Sequence, residues 1–265
     1  MPSTAPGRTQ PSASRDFVAS LAKGLAVLSA FEHAELLGNN ELVAATGLPK
    51  NTVSRLTLTL AELGYLQTDE ETRKYRVGVR ALGMGAALQR NMGLQRIARP
   101  HMEALAEELD LTVLLATREK LNMVVLEIAR PPRSPVTVNT QVGVSLAFET
   151  TSLGMAYLVA APSRERVRLL QKLQHNHPDD WNDYRRDVER VHQEYRELGY
   201  VVSRRMWGGA LSAAAAPITV GRSGVFAMSC VGLSQQLSRT RIRQSIGPRV
   251  IRAVREMAQA LSAEK

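Results

Sequence analysis

Apolar and polar positions alternate most informatively over residues 41–67 of the 265-residue chain. Apolar residues recur there at spacings of three and four, which predicts two short helices. Gly47 suits the left-handed end of the first helix, and Pro49 suits the start of the second. The pattern therefore predicts a helix-turn-helix. Its predicted inward residues are Leu42, Val43, Leu48, Val53, Leu56, Leu60 and Leu63.

The second of these helices is unusually polar on its outer side. Its outward residues are Lys50, Asn51, Thr52, Ser54, Arg55 and Thr59. Basic, amide and hydroxyl side chains of this kind read base edges and bind phosphates in the major groove. They predict that this helix binds double-stranded DNA. The alternative is a surface helix of an ordinary α-hairpin.

Two short β-type runs follow, YLQT and KYRVG, around the charged turn DEETR. A hairpin after a recognition helix is typical of a wing, and Arg73 and Lys74 lie at or beside its tip, where they could contact phosphates. Three acidic residues in the same turn argue against the whole turn lying on DNA. An amphipathic helix before the motif is predicted to close the small core with Phe17, Leu21, Leu25, Leu28 and Phe31.

These segments divide the chain into four parts. We expect a disordered tail at 1–14, because it is rich in Pro, Ser and Thr, and a winged helix-turn-helix DNA-binding domain at 15–78. A linker follows at 79–95, and its helix over about 79–90 presents Gly83, Gly85, Ala86 and Ala87. This helix is predicted to pair subunits, and the alternative is packing within its own subunit.

The pattern becomes mixed α/β from residue 112. β-type runs are TVLLAT, NMVVLEI, VTVNT, YVVSR, AAAAPITV and VFAMSCVG. Helical periodicity covers 151–161, 164–174, 182–198 and about 247–262. Because strands and helices do not alternate one for one, we expect an α+β fold with an antiparallel sheet, which forms an effector-binding domain over 96–265.

Charge and cysteine content add limited information. The formal net charge is +9, but residues 1–90 hold 10 basic and 8 acidic side chains, so only +2 lies in the DNA-reading half. One cysteine excludes an intramolecular disulfide framework. We find no signal segment and no apolar run of about 18 residues, which predicts a cytoplasmic protein that does not contact a membrane.

The chain contains several motifs that, in sequence and in order, resemble those of the IclR family of bacterial transcriptional regulators. They are SLAKGLAVLSAF, ATGLPKNTVSRLTLTLAELGYL, RKYRVG, QVGVSLAFETTSLGMAYL, YRELGYVVSR, AAAAPI and AMSCVG. The resemblance implies a winged helix-turn-helix, a linker helix and a GAF/PAS-like effector domain. It also implies a homodimer or homotetramer and a small organic effector, for which we expect an organic acid. No cofactor or metal is expected.

The resemblance also places an effector pocket. Its expected lining is Leu146, Phe148, Thr151, Gly154, Met155, Ser203, Ser229 and Val231. This chain departs from the family pattern, because Glu149 replaces a histidine and Met155 replaces a lysine. Arg204 or Arg205 could hold an effector carboxylate, and the alternative is surface salt bridging.

Other chemistry-bearing residues have structural interpretations. His175 and His177 could form a metal pair but lie in a polar loop, and Cys230 could be a nucleophile but lies in an apolar strand. We expect a ligand-responsive regulator that represses a catabolic operon through an inverted-repeat operator. Alternatives are an activator that contacts RNA polymerase, a ligand-free architectural DNA binder, or an enzyme using Cys230, Glu149 or His101 and joined to a DNA-binding module.

Overall fold

The computed structural model describes residues 16–92, 94–132, 138–206, 209–220 and 224–263. Contacts divide the chain after Leu88 into two compact units. The expected tail at 1–14 lies outside the described residues.

The N-terminal unit is a small helical domain with a β-hairpin. Its elements are α1 (Ala19–Ser29), a 3-10 turn (Ala30–His33), α2 (Asn39–Thr46), α3 (Lys50–Glu62), β1 (Leu66–Thr68), β2 (Tyr75–Val77) and the start of α4 (Arg80–Met92). The two strands pair antiparallel. The buried core consists of Val27, Phe31, Leu42, Val53 and Leu66.

The turn between α2 and α3 forms as the sequence predicts. Gly47 has φ 62° in the left-handed region, and its N–H donates to the Val43 carbonyl. Buried Thr46 ties the turn down, since its hydroxyl donates to the Leu42 carbonyl over 2.6 Å and accepts from the Leu48 N–H over 3.3 Å. Pro49 is the N-cap residue of α3, where no N–H is required.

The predicted apolar face of α1 is wrong in part. Phe17, Leu21 and Leu25 are 43%, 62% and 52% exposed, while Val27 is fully buried. Apolar residues lie on two sides of this helix, and their spacing alone does not show which side packs against α3. The inward prediction for Leu63 is also wrong, because this residue is the C-cap of α3 and is 53% exposed.

The C-terminal unit is a six-stranded antiparallel sheet with helices on both faces. Its helices are α5 (Leu94–Leu109), α6 (Ser152–Ala160), α7 (Ser163–Asn176), α8 (Trp181–Leu198), a short α9 (Arg239–Arg241) and α10 (Gly247–Ala263). Its strands are β3 (Thr112–Glu119), β4 (Asn122–Ala129), β5 (Ser145–Ala147), β6 (Val201–Met206), β7 (Leu211–Val220) and β8 (Gly224–Leu233). The strand order is β5-β4-β3-β8-β7-β6.

Each face of the sheet has its own core. Side chains of α5 and α10 pack on one face, and those of α6, α7 and α8 pack on the other. β7 is buried on both sides, which explains its run of small residues, Ala213–Ala216. In β8, Ser229 and Val231 face the α6 side and Met228 and Cys230 face the α5 side. The predicted α+β class with an antiparallel sheet is confirmed.

One predicted strand is wrong over its described part. VTVNT was expected as a strand, but residues 138–140 are not in one, and 136–137 lie outside the described residues. The following segment takes the edge of β4 instead, because the Val125 N–H donates to the Val144 carbonyl and Ser145–Ala147 pair with β4. A strand edge accepts one partner, and β5 occupies this edge of β4.

Candidate functional site

The outer side of α3 presents the predicted DNA-reading side chains. Lys50, Asn51 and Arg55 are exposed, and Thr52 and Ser54 are half-buried. The opposite side of α3 packs against the rest of the N-terminal unit, and Val53 and Thr57 on that side are fully buried. The helix therefore separates a packing side from a polar side that is open to a partner.

Thr57 also anchors α3 to the rest of the motif. Its hydroxyl lies 3.3 Å from Asn39 Oδ1 at the start of α2 and 3.1 Å from the Ser54 carbonyl. The sequence pattern did not single out Thr57, because a threonine on a polar helix gives no signal for burial.

A groove of about 360 Å³ runs beside the exposed row. Asn51, Arg55 and Thr59 line one side, and Ser20 and Lys23 of α1 line the other. Sequence reasoning missed Ser20 and Lys23, although their spacing of three places both on one side of a helix. Lys23 adds a cation beside the recognition helix.

The charged turn of the wing is organised by one of its acidic residues. Asp69 accepts hydrogen bonds from the Thr72 N–H and hydroxyl over 2.8 and 2.7 Å and pairs with Arg76 over 2.6 Å. The Thr72 hydrogen bonds lower the pKa of Asp69, and Arg76 lowers it further. Arg73 is exposed, with φ 56° in the left-handed region.

Lys74 is placed differently from Arg73. Its Nζ lies 2.8 Å from Glu41 Oε1, and the other oxygen of Glu41 accepts from the Gly38 N–H at the start of α2. Leu37 and Tyr75 also exchange backbone hydrogen bonds of 3.0 and 2.9 Å. Lys74 therefore belongs to a link between the wing and α2.

Several of the predicted pocket residues meet on the α6 side of the sheet. Ser229 pairs with Ala215 and with Leu114, and in the next row Val231 pairs with Ala213, which pairs with Ser203. Ser229 and Val231 are buried, and Ser203 and Leu146 are half-buried. The side chains of Arg204 and Arg205 lie outside the described residues.

The start of α6 packs tightly against this face. Thr151 caps the helix, its hydroxyl accepting from the Gly154 N–H over 3.1 Å. A Cβ at Gly154 would lie 1.9 Å from the Phe148 carbonyl oxygen, so only glycine fits there. The Ser152 and Ser229 hydroxyls are 2.9 Å apart and join α6 to β8. Met155 is also buried.

Two cavities of the C-terminal unit differ greatly in size. The one lined by Val231 has a volume of about 20 Å³, enough for a single water molecule. The other has a volume of about 250 Å³, and none of the eight predicted pocket residues lines it. Its lining includes Glu149, His177 and Tyr184.

The remaining candidates do not form a catalytic group. Cys230 is fully buried, and burial raises the pKa of its thiol. His101 lies 3.4 Å from Glu256, and His177 lies 3.6 Å from Glu149. Within the described ranges no cluster of three or more His, Cys, Asp or Glu is arranged to hold a metal. No helix in these ranges has both the length and the apolarity needed to cross a membrane.

A winged helix-turn-helix with an exposed polar recognition helix, followed by a separate α+β unit, defines the class of two-domain transcriptional regulators. Two family models match the chain. The IclR helix-turn-helix domain matches residues 20–70, and the bacterial transcriptional regulator IclR C-terminal domain matches residues 86–263. The chain belongs to the IclR family of transcriptional regulators, as the sequence motifs predicted.

Individual relatives agree with this assignment. The HTH-type transcriptional regulator TsaQ1/TsaQ2 of Comamonas testosteroni is 44% identical over 93% of this chain and 88% of its own length. An IclR family regulator from Brucella abortus has a TM-score of 0.82 and 34% identity over 96% of both chains. An IclR homologue from Microbacterium hydrocarbonoxydans, solved with 4-hydroxybenzoate, has a TM-score of 0.73 and 22% identity over 92% of this chain and 99% of its own. These relatives are transcriptional regulators and not enzymes, and this chain is a transcriptional regulator of the same family.

Proposed function

We propose that this regulator represses a catabolic operon by binding an inverted-repeat operator as a homodimer or homotetramer. The observation that most strongly supports operator binding is the exposed row of Lys50, Asn51 and Arg55 on α3. Each α3 would enter a major groove, with half-sites about one helical turn, roughly 34 Å, or more apart. Arg73 at the wing would bind the flanking phosphate backbone.

Selection from randomised double-stranded DNA, followed by footprinting on the selected sequence, tests this arrangement. We expect an inverted repeat with two protected half-sites on one face of the duplex. Protection without sequence preference would instead identify an architectural DNA binder. A transcription assay with RNA polymerase decides the sign of regulation, since a repressor lowers transcript yield from the operator-bearing promoter and an activator raises it.

For the effector we propose a small organic acid that binds between α6 and the sheet. The Microbacterium homologue holds 4-hydroxybenzoate, an aromatic acid, and we carry the same chemical class to this chain. Phe148, Met155 and Ser229 are packed here, so the acid would bind a more open arrangement and shift the population towards it. Separation of the Ser152 and Ser229 hydroxyls would accompany that opening.

A thermal-shift screen of aromatic and aliphatic acids tests the effector site. An acid that stabilises the wild type should not stabilise Ser229→Leu, because the leucine side chain would fill the space between β8 and α6. Ser229→Ala is the matched control, since it removes only the hydroxyl. Equal stabilisation of the wild type and Ser229→Leu would place the acid elsewhere.

We further propose that subunits pair through the N-terminal unit. Leu21 and Leu25 of α1 and Leu82 of α4 are 62%, 52% and 76% exposed, which is costly for a lone domain. The space around Gly83 and Gly85 is open, so a close partner could pack there.

A further inference from the structure

The groove between α1 and α3 lies beside the recognition residues of the N-terminal unit. Ser20 and Lys23 form its α1 side, and both are exposed. The same side of α1 packs on the core one turn further along, because Val27 is fully buried and a Cβ at Gly24 would lie 3.8 Å from Leu56 of α3. This packing fixes α1 against α3, so the backbone of Lys23 is held beside the outer side of α3.

The groove carries positive charge that the protein does not neutralise. Lys23 and Arg55 line it, and the described lining includes no carboxylate. Within the described ranges neither of these cations forms an ion pair, whereas Lys74 of the wing is paired with Glu41. Two unpaired cations in one groove of about 360 Å³ attract an anionic partner.

The dimensions of DNA determine which anion reaches this groove. The major groove of B-form DNA is about 12 Å wide, and an α-helix with its side chains is about 10–12 Å across. A recognition helix therefore fills the major groove, and its flanks face the phosphate strands that border it. Since the groove between α1 and α3 runs along one flank of α3, it would face one of these strands when α3 occupies the major groove.

We propose that Lys23 of α1 binds a backbone phosphate at the edge of each operator half-site, on the flank of α3 that faces α1. This inference rests on the proposed entry of α3 into the major groove. The Lys23 ammonium would donate to a phosphate oxygen and displace a condensed counterion, so it would add affinity without sequence preference.

This contact is compatible with the subunit pairing proposed for α1. Leu21 and Leu25 each lie two residues from Lys23 in the sequence. At about 100° per residue, positions two apart lie on nearly opposite sides of a helix. One helix can therefore bind DNA through Lys23 and a second subunit through the leucines.

Ethylation interference on the selected operator locates the contact phosphate by phosphate. Ethylation neutralises one phosphate at a time, so ethylation of the phosphate bound by Lys23 should block binding of the wild type. Lys23→Met keeps the aliphatic stem and removes the charge, and its binding should no longer depend on that phosphate. An interference pattern of Lys23→Met identical to that of the wild type would overturn the proposal.

Two further measurements separate this role from a structural one. Lys23→Arg keeps a positive charge and should retain the wild-type interference pattern. Lys23 is exposed and forms no ion pair with a described residue, so Lys23→Met should unfold at the same urea concentration as the wild type. A large loss of stability in Lys23→Met would instead assign Lys23 to the fold.

Salt dependence gives an independent readout of the same contact. The logarithm of the binding constant falls by about 0.9 per decade of salt for each phosphate neutralised in B-DNA. Lys23→Met should reduce this slope by about that amount per bound subunit, and should lower affinity by the same factor for the operator and for an unrelated duplex. Lys172→Met is the matched control, because Lys172 is exposed on α7 of the other unit and should change neither quantity. Loss of preference at particular base pairs in Lys23→Met would contradict a phosphate contact.

Asn51→Ala distinguishes failure of this inference from failure of the proposed function. If Lys23→Met matches Lys172→Met while Asn51→Ala weakens operator binding, α1 does not bind the backbone although α3 reads the operator. If Asn51→Ala also matches Lys172→Met, the proposed entry of α3 into the major groove fails, and the assignment of Lys23 fails with it.

Discussion

Individual side chains on α3 divide cleanly between packing and recognition. Asn51 and Arg55 are exposed, so replacing them by alanine would remove the proposed contacts with DNA and leave the core intact. Each substitution should weaken operator binding by about 1–3 kcal/mol and relax the preference at particular base pairs. Gel-shift titrations on the selected operator and on single-base variants measure both effects.

A charge-matched control separates base recognition by α3 from nonspecific electrostatic attraction to DNA. Lys172→Ala removes one positive charge from an exposed position of α7, in the other unit. It should leave operator affinity almost unchanged. If Asn51→Ala and Arg55→Ala behave like Lys172→Ala, α3 does not read the operator.

The two basic residues of the wing should respond differently to substitution. Arg73 is exposed, so Arg73→Ala should lower DNA affinity about equally for all sequences and reduce the salt slope by about 1. Lys74 is paired with Glu41, so Lys74→Met should mainly lower stability, and only slightly, because the pair is exposed. Titrations at several salt concentrations, with urea unfolding alongside, distinguish the two roles. A larger change of salt slope in Lys74→Met than in Arg73→Ala would reverse this assignment.

His192 on α8 is held in its neutral form. Arg166 Nη1 lies 3.2 Å from His192 Nε2, and a guanidinium can only donate, so Nε2 accepts and the proton lies on Nδ1. Burial first, then the charges of Arg166 and Arg196, lower the pKa of His192. Protonation would break the contact with Arg166 and add a third positive charge.

This lowered pKa predicts a loss of stability in mild acid. The unfolded chain binds the proton at higher pH than the folded one, so the contribution of His192 is complete above the ordinary pKa of about 6.5. It is lost as the pH falls through the lowered folded value. Between pH 7.5 and pH 5, the free energy of unfolding measured in urea should fall less for His192→Gln than for the wild type. The control, His175→Gln, replaces an exposed histidine and should behave like the wild type. An equal fall in His192→Gln and the wild type would contradict this role of His192.

At the scale of elements, periodicity predicted most of the secondary structure. Five of the six β-type runs from residue 112 onwards become strands, and Val188 and Val191 of α8 are buried as expected. It did not predict the side of α1 that packs, because both sides of that helix carry apolar residues. Periodicity also did not predict the cavity beside α8. Residues from three separate segments line it, and the loop between α7 and α8 shows only polar residues in the sequence.

The end of α2 offers a test of one element. Gly47 is left-handed, a conformation that costs other residues roughly 1–2 kcal/mol, so Gly47→Ala should lower the free energy of unfolding by about that much. Gly24→Ala is the control, because Gly24 lies within helical α1 and a Cβ there makes only an ordinary contact with Leu56, at 3.8 Å. This control should leave stability unchanged or raise it by about 0.5–1 kcal/mol. Equal effects of both substitutions on urea unfolding would rule out the special role of Gly47.

At the scale of the whole molecule, the exposed apolar side chains of the N-terminal unit predict the subunit contact. Leu21→Glu and Leu25→Glu would place a charge in that contact and should shift the protein towards the monomer. Val167→Glu is the control, since Val167 of α7 is 54% exposed in the other unit. Sedimentation velocity measures the masses. A wild-type monomer, or unchanged mass in both leucine variants, would contradict pairing through this unit.

The division of α3 into a buried side and an exposed side also bears on how such regulators diverge. Val53 and Thr57 hold the helix in place, so mutations at Lys50, Asn51 and Arg55 carry little penalty for folding. Gene duplicates could therefore drift apart in operator preference while retaining the same scaffold. For the same reason, transplanting only these outward positions from a relative should redirect the protein to a new promoter without redesign of its core.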